Sequence, residues 1–164
     1  LSSHKRGWDD RWEEFSDWAN QGKSYHDQLL KMVDEDTNAF NKIMDAFGLP
    51  KKSDNEAIIR TKAIQDATVY ATEVPLKVMS LCFESMDVMK AMAKFGNPNS
   101  VTDAGVGALA AMAGVRGAFL NVKINASGLK DRVLADKLLV SAKNIETRAG
   151  FLEREILEIV ESKL

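Results

Sequence analysis

Three prolines, Pro50, Pro75 and Pro98, are the only ones in 164 residues. Proline removes a helical N–H and clashes with the preceding turn, so these positions mark where helices end or bend, and the stretches between them are free to be helical. Those stretches are rich in Ala, Leu, Met, Glu and Lys, all good helix formers. Apolar residues recur at steps of three and four, and no segment alternates in the manner of a strand. The expected fold is all-α, an antiparallel multi-helix bundle that dimerises through its long helices. With 45% hydrophobic and 28% charged residues the composition is that of a globular domain, and a chain this long buries roughly 70% of its unfolded surface. A single helical domain over residues 1–164 is expected.

The periodicity divides the chain into segments. Over about Asp9–Ala19, Trp8, Trp12, Phe15 and Trp18 follow at steps of 4, 3 and 3 and define one helical face, read first as packing surface and second as a place where a ring stacks on a flat ligand. A second segment, about Lys23–Phe47, carries Tyr25, Leu29, Met32, Val33, Phe40, Ile43, Met44 and Phe47 and is stopped by Gly48 and Pro50. The third opens with Ser53, Asp54, Asn55 and Glu56, a capping box, and runs to Val74; Pro75 then kinks it or starts another. Leu76, Met79, Cys82, Met86, Met89, Met92 and Phe95 continue an apolar face to Gly96, with the methionines read as adaptable core. After the turn Gly96-Asn97-Pro98-Asn99-Ser100, the Ser100 and Asp103 pair is spaced to cap a further helix. The last segment, about Asp131–Lys163, bears a long stripe from Leu134 to Val160 suited to a bundle or a subunit interface.

Charge and cysteine content exclude several classes of function. There are 22 Lys and Arg against 24 Asp and Glu, a net charge of −2, which does not suit a nucleic-acid binder. The longest uncharged apolar run, Ala104–Val115, falls well short of the roughly 20 residues of a membrane-spanning helix. Neither nucleic acid nor membrane is therefore an expected partner. Cys82 is the one cysteine, so a disulfide within the chain is excluded and a reducing cytoplasm is the expected compartment. His4 and His26 lack metal-ligand spacing, and no phosphate-cradling or nucleophile-elbow motif is present, so neither a metal nor a nucleotide is expected. The chain begins Leu1-Ser2-Ser3 and has no signal-peptide core, which reads as a cut through a longer polypeptide.

Two features remain. At 100° per residue Asp36 falls within about 60° of Leu29, Met32, Val33, Phe40, Ile43 and Phe47, near the centre of the second stripe. A carboxylate there is expensive unless paired or used, which makes Asp36 the leading candidate for acid/base chemistry. The segment after Ser100 is the second feature. It is crowded with Ala104, Gly105, Gly107, Ala108, Gly114, Gly117 and Ala118 before Asn121 and Asn125, which stand one turn apart. Internal glycines each cost about 1 kcal/mol against alanine, so their number calls for close approach of a helix or a flat ligand. The asparagines serve either a ligand or nearby backbone.

The stretch Val33-Asp34-Glu35-Asp36-Thr37-Asn38-Ala39-Phe40, the Met44 to Pro50 segment, Glu73-Val74-Pro75 and the block from Gly96 to Asn125 together resemble the cyclodeaminase/cyclohydrolase family. Its members include the C-terminal half of formimidoyltransferase-cyclodeaminase, and the resemblance covers nearly the whole chain. It implies a folate enzyme of histidine breakdown and one-carbon metabolism, converting 5-formimidoyltetrahydrofolate to 5,10-methenyltetrahydrofolate with release of ammonia. By position in the match, the family's catalytic aspartate falls on Asp36. Asn97, Asp103, Asn121 and Asn125 match recurrent polar positions and are implied as substrate contacts. The tetrahydrofolate derivative, with or without a polyglutamate tail, is itself the one-carbon carrier. A homo-oligomer and a fused formimidoyltransferase domain are further implications. The resemblance also implies, ahead of this region, a helix opened by a glycine- and serine-rich turn, and the chain reads as starting after it.

In that chemistry a carboxyl group in an apolar seam has its acidity weakened by burial, accepts a proton from N10 and delivers one to the departing amine. A cyclohydrolase using the same pocket, opening 5,10-methenyltetrahydrofolate with water, is the close alternative. A noncatalytic oligomerisation module, with Asp36 a satisfied core acid, is the alternative of another class.

Overall fold

A computed structural model describes residues 9–164, and Trp8 and His4 lie outside the described residues. After a 3₁₀ turn at Asp9–Arg11, α1 spans Trp12–Gly48 and α2 spans Asp54–Phe95; a second 3₁₀ turn, Pro98–Ser100, leads into α3, Val101–Ser127, and α4 covers Arg132–Glu161. Among the described residues there is no strand, and the four helices form the expected bundle. The two N-terminal segments, expected as separate, are one helix of 37 residues. Gly22 at their junction has only Val88 beside it and sits within the regular helix.

Local signals set the other boundaries. Ser53 and Glu56 form the capping box, with Glu56 N–H donating to Ser53 Oγ at 3.3 Å and Ser53 N–H to Glu56 Oε2 at 3.0 Å. Asp131 caps α4 by accepting from Leu134 N–H at 3.0 Å. Ser100, however, makes no cap bond through its side chain; Asn97 turns the chain instead, its side chain accepting from Asn99 N–H at 3.2 Å. Gly96 must be glycine, because a Cβ there would lie 2.4 Å from the Met92 carbonyl oxygen that its own N–H binds.

α2 is the central element and packs against each of the other three helices. Met79, Met86, Met112, Val115, Val122 and Ile156 are fully buried between α2, α3 and α4, so Met79 and Met86 are core as expected, while Met89 and Met92 are partly buried against it. The last stripe also packs as expected, with Ala135, Leu138, Ala142, Ala149, Ile156 and Val160 buried. Lys90 on α2 binds Glu155 on α4 at 2.6 Å, and this ion pair holds the Glu155 carboxyl below its ordinary range. Near the C-terminus Lys163 Nζ donates to the carbonyls of Ala93 and Lys94, at 2.6 Å each, closing the end of α2.

Gly105, Gly107 and Gly114 of α3 face neighbouring helices, whereas Gly117 faces open space. A Cβ at Gly114 would stand 2.9 Å from the Cys82 sulfur, so α2 and α3 meet there with nothing between them. Cys82 is buried in that seam, and burial pushes its thiol up. By length and composition Pro98–Ser127 is apolar enough to cross a membrane, a wider window than the Ala104–Val115 run alone. Its inner side packs against α2 and α4, as suits a central helix of the bundle.

Candidate functional site

α1 touches α2 along a narrower stripe than its apolar residues suggest. The inward positions are Phe15, Ala39 and Ala46, with Met32, Ile43 and Glu35 partly covered. Val33, Phe40, Met44 and Phe47 are exposed, and Asp36 stands among them, exposed as well. Among the described residues, the buried seam expected around Asp36 is therefore absent within one chain. Its neighbour Glu35 is the acid that faces α2, where the Tyr70 hydroxyl donates to its carboxylate. That bond, then partial burial, pushes the Tyr70 hydroxyl up. Lys42 adds a cation 3.8 Å from the Tyr70 ring centroid. A cleft of about 410 Å³ opens beside this cluster, between Lys31, Met32 and Glu35 of α1 and Tyr70, Glu73 and Lys77 of α2.

Asn125 comes to the same end of the bundle from the other side of α2. Pro75 lies buried inside α2 and has no N–H, which leaves the Ala71 carbonyl, four residues earlier, without its helical donor. Asn125 Nδ2 supplies one at 2.6 Å. Of the two uses open to this asparagine, backbone support is the one its amide group displays. Asn121, one turn earlier, is exposed, and a Cβ at nearby Gly117 would meet nothing within 4 Å.

Asn97 and Asp103 belong to a different place. They border a cleft of about 370 Å³ with Phe15, Trp18, Met92 and Ser100, where the start of α1 meets the turn between α2 and α3. Trp18, read from sequence as packing surface, lines this cleft. Arg11 ties the corner together: it binds Glu14 at 2.8 Å and stands over the rings of Phe15 and Phe95, at 4.9 and 5.4 Å from their centroids. Asp36 is eighteen residues beyond Trp18 on one continuous helix, about 27 Å at 1.5 Å per residue. Asp103 and Asn121 are as far apart on α3. A single chain thus splits the five candidates, with Asp36, Asn121 and Asn125 toward one end and Asn97 and Asp103 at the other.

Glu35, Tyr70 and Lys42 were not among the residues singled out from sequence. Their signal was Ala39 and Ala46, seven apart and in line with Met32: small residues mark where a helix is pressed to its neighbour, and Glu35 lies on that line. Among the described residues, no three His, Cys, Asp or Glu side chains come together as a metal site.

The sequence profile described as formiminotransferase-cyclodeaminase matches residues 1–144. A methenyltetrahydrofolate cyclohydrolase of Methylorubrum extorquens is 43% identical over 136 residues, covering 83% of this chain and 65% of that protein. A formimidoyltransferase-cyclodeaminase of Rattus norvegicus is 36% identical over 110 residues, covering 67% of this chain and 20% of the rat protein. The crystal structure of a formiminotetrahydrofolate cyclodeaminase from Thermotoga maritima superposes with a TM-score of 0.82, covering 96% of this chain and 75% of that one at 23% identity, and so shares the fold. The chain accordingly spans less than two thirds of the length of these two relatives. By the reach of the profile match and the identity to both relatives, this chain belongs to the formiminotransferase-cyclodeaminase family.

Proposed function

We propose that this chain acts on the one-carbon bridge between N5 and N10 of tetrahydrofolate, and that it does so as a methenyltetrahydrofolate cyclohydrolase. The observation that carries the choice of reaction is the 43% identity to the Methylorubrum extorquens cyclohydrolase. Water adds to the methenyl carbon and gives up one proton to a base. The resulting tetrahedral carbon then breaks its bond to N5, its hydroxyl proton moves to N5, and 10-formyltetrahydrofolate is released with one net proton. Asp36, an exposed carboxylate on α1, is suited to take the proton from water. Asn121 and Asp103, from opposite ends of α3, are proposed to orient the folate; the amide of Asn125, one turn beyond Asn121, holds the Ala71 carbonyl of α2. The folate carries the one-carbon unit itself.

The cyclodeaminase reading is supported by the rat relative. It passes through the same kind of tetrahedral carbon, with an amine in place of the hydroxyl: N10 attacks the carbon of the protonated formimidoyl group, the N10 proton passes to the amine, and the amine leaves as ammonia, giving the methenyl cation. One pair of assays separates the two. Hydrolysis of 5,10-methenyltetrahydrofolate is followed by loss of its absorbance, and 5-formimidoyltetrahydrofolate turnover by ammonia release. The expected result is hydrolysis that Asp36→Asn lowers by about 10²-fold or more. Ammonia release with no hydrolysis would replace the first reading with the second.

A further inference from the structure

Gln65 on α2 binds backbone that lies 63 and 65 residues further along the chain. Its Nε2 donates to the carbonyl of Gly128 at 3.1 Å, and its Oε1 accepts from the N–H of Lys130 at 2.6 Å. One side-chain amide thus offers a donor and an acceptor to the turn between α3 and α4, as a neighbouring peptide would. The end of a helix leaves carbonyls without partners, and the Gly128 carbonyl is met from α2. A second amide crosses the same seam in the other direction, Asn125 Nδ2 donating to the Ala71 carbonyl at 2.6 Å. The two anchor points, Gln65 and Ala71, are about 9 Å apart along α2. A Cβ at Gly128 would lie 3.6 Å from Thr68 Cγ2, so the turn rests on α2 between the two amides.

One hydrogen bond leaves a helix end free to pivot, whereas two that are separated along its neighbour fix its direction. Ala126 and Leu129 are buried at the same place, but apolar contact is non-directional. The face whose direction is fixed carries Asn121, exposed and one turn before Asn125. We propose that Gln65 is a positioning residue for the reaction: it holds the end of α3 against α2, and so sets the direction in which Asn121 meets the folate. Its role in the reaction rests on the folate reading above; the clamp itself does not.

The test combines amide exchange, kinetics and a double-mutant cycle on the full chain. Gln65→Ala removes both bonds, and Gln65→Glu keeps an acceptor for the Lys130 N–H while losing the donor to Gly128. Exchange of the Lys130 amide, followed by NMR, is expected to quicken by about tenfold or more in Gln65→Ala and by less in Gln65→Glu. Gln65→Ala is expected to lower kcat/KM for the folate substrate about tenfold, mainly by raising KM, within the roughly 10²-fold that a misplacement of about 1 Å costs. Should Gln65→Ala fail to fold, Gln65→Glu carries the same kinetic comparison. Asn121→Ala is expected to lower kcat/KM as much, and the Gln65 change to add nothing further in that background, because both remove one and the same contact. A glutamine that served stability alone would give losses that add. Unchanged exchange at Lys130 in Gln65→Ala overturns the clamp. Additive losses, or full activity in either single variant, overturn the positioning role. A wild-type chain silent in both folate assays overturns the functional reading and the role with it, while exchange at Lys130 still decides the clamp.

Discussion

Removing the Asn125 amide strands the Ala71 carbonyl, and the cost depends on the residue at position 75. Ala71 is 6% exposed, so water reaches its carbonyl poorly, and Asn125 Nδ2 donates to it at 2.6 Å. Leaving a buried carbonyl unsatisfied costs about 1–3 kcal/mol. Asn125→Ala is therefore expected to destabilise the chain by about 2 kcal/mol, or roughly 4–8 °C in melting temperature for a protein of this size. Pro75→Ala has a cost of its own, because it removes a buried ring, but it restores an N–H that bonds the Ala71 carbonyl within the helix. In that background Asn125→Ala should cost about 0.5 kcal/mol or less, for a coupling of about 1–2 kcal/mol. The cycle is measured by urea denaturation of the four proteins at one fixed chain concentration, because self-association shifts apparent stability. Strictly additive effects would show that the Asn125 amide does not stand in for the helical donor lost at Pro75.

Two other perturbations follow from described contacts. Gly114→Ala drives a methyl against the Cys82 sulfur at 2.9 Å; overpacking of about 1–3 kcal/mol is set against a helix-propensity gain of about 1 kcal/mol. Thermal denaturation should show net loss, and adding Cys82→Ala should recover most of it. Tyr70→Phe tests a pH limb: the Tyr70 hydroxyl is held above its ordinary value of 10 by its bond to Glu35, so the stability it adds is fully present below that value and is lost as pH rises through the folded-state value. Wild-type stability should fall more steeply than that of Tyr70→Phe above pH 10, and parallel curves would remove the bond from the account.

The helices and most of their boundaries are legible in the sequence, because caps such as Ser53 with Glu56 and the stop at Gly48 and Pro50 act locally. The facing of α1 is not. Its stripe of large apolar residues is wide enough for two surfaces, and counting bulk centred it on Asp36, whereas Ala39 and Ala46 set the contact with α2 and turned Glu35 inward. Asn125 was legible only as a choice between ligand and backbone. What decides is the Ala71 carbonyl exposed by Pro75, fifty positions from the asparagine, a pairing that the topology creates and no local window contains. The split between Asp36 and Asp103 is equally a matter of helix length, visible once α1 is one continuous rod.

The tether from Lys163 to the carbonyls of Ala93 and Lys94 spans about seventy residues of chain. During vectorial synthesis α1 and α2 leave the ribosome first and meet through contacts already complete, yet the terminus of α2 that leads into the Asn97 turn is not clamped until residue 163 emerges. At about 5–20 residues per second that is a delay of roughly 4–14 s. The wall of the cleft holding Asn97 and Asp103 is thus fastened well after α2 itself has been made, and changes at Lys163 act on it from about seventy residues further along the chain.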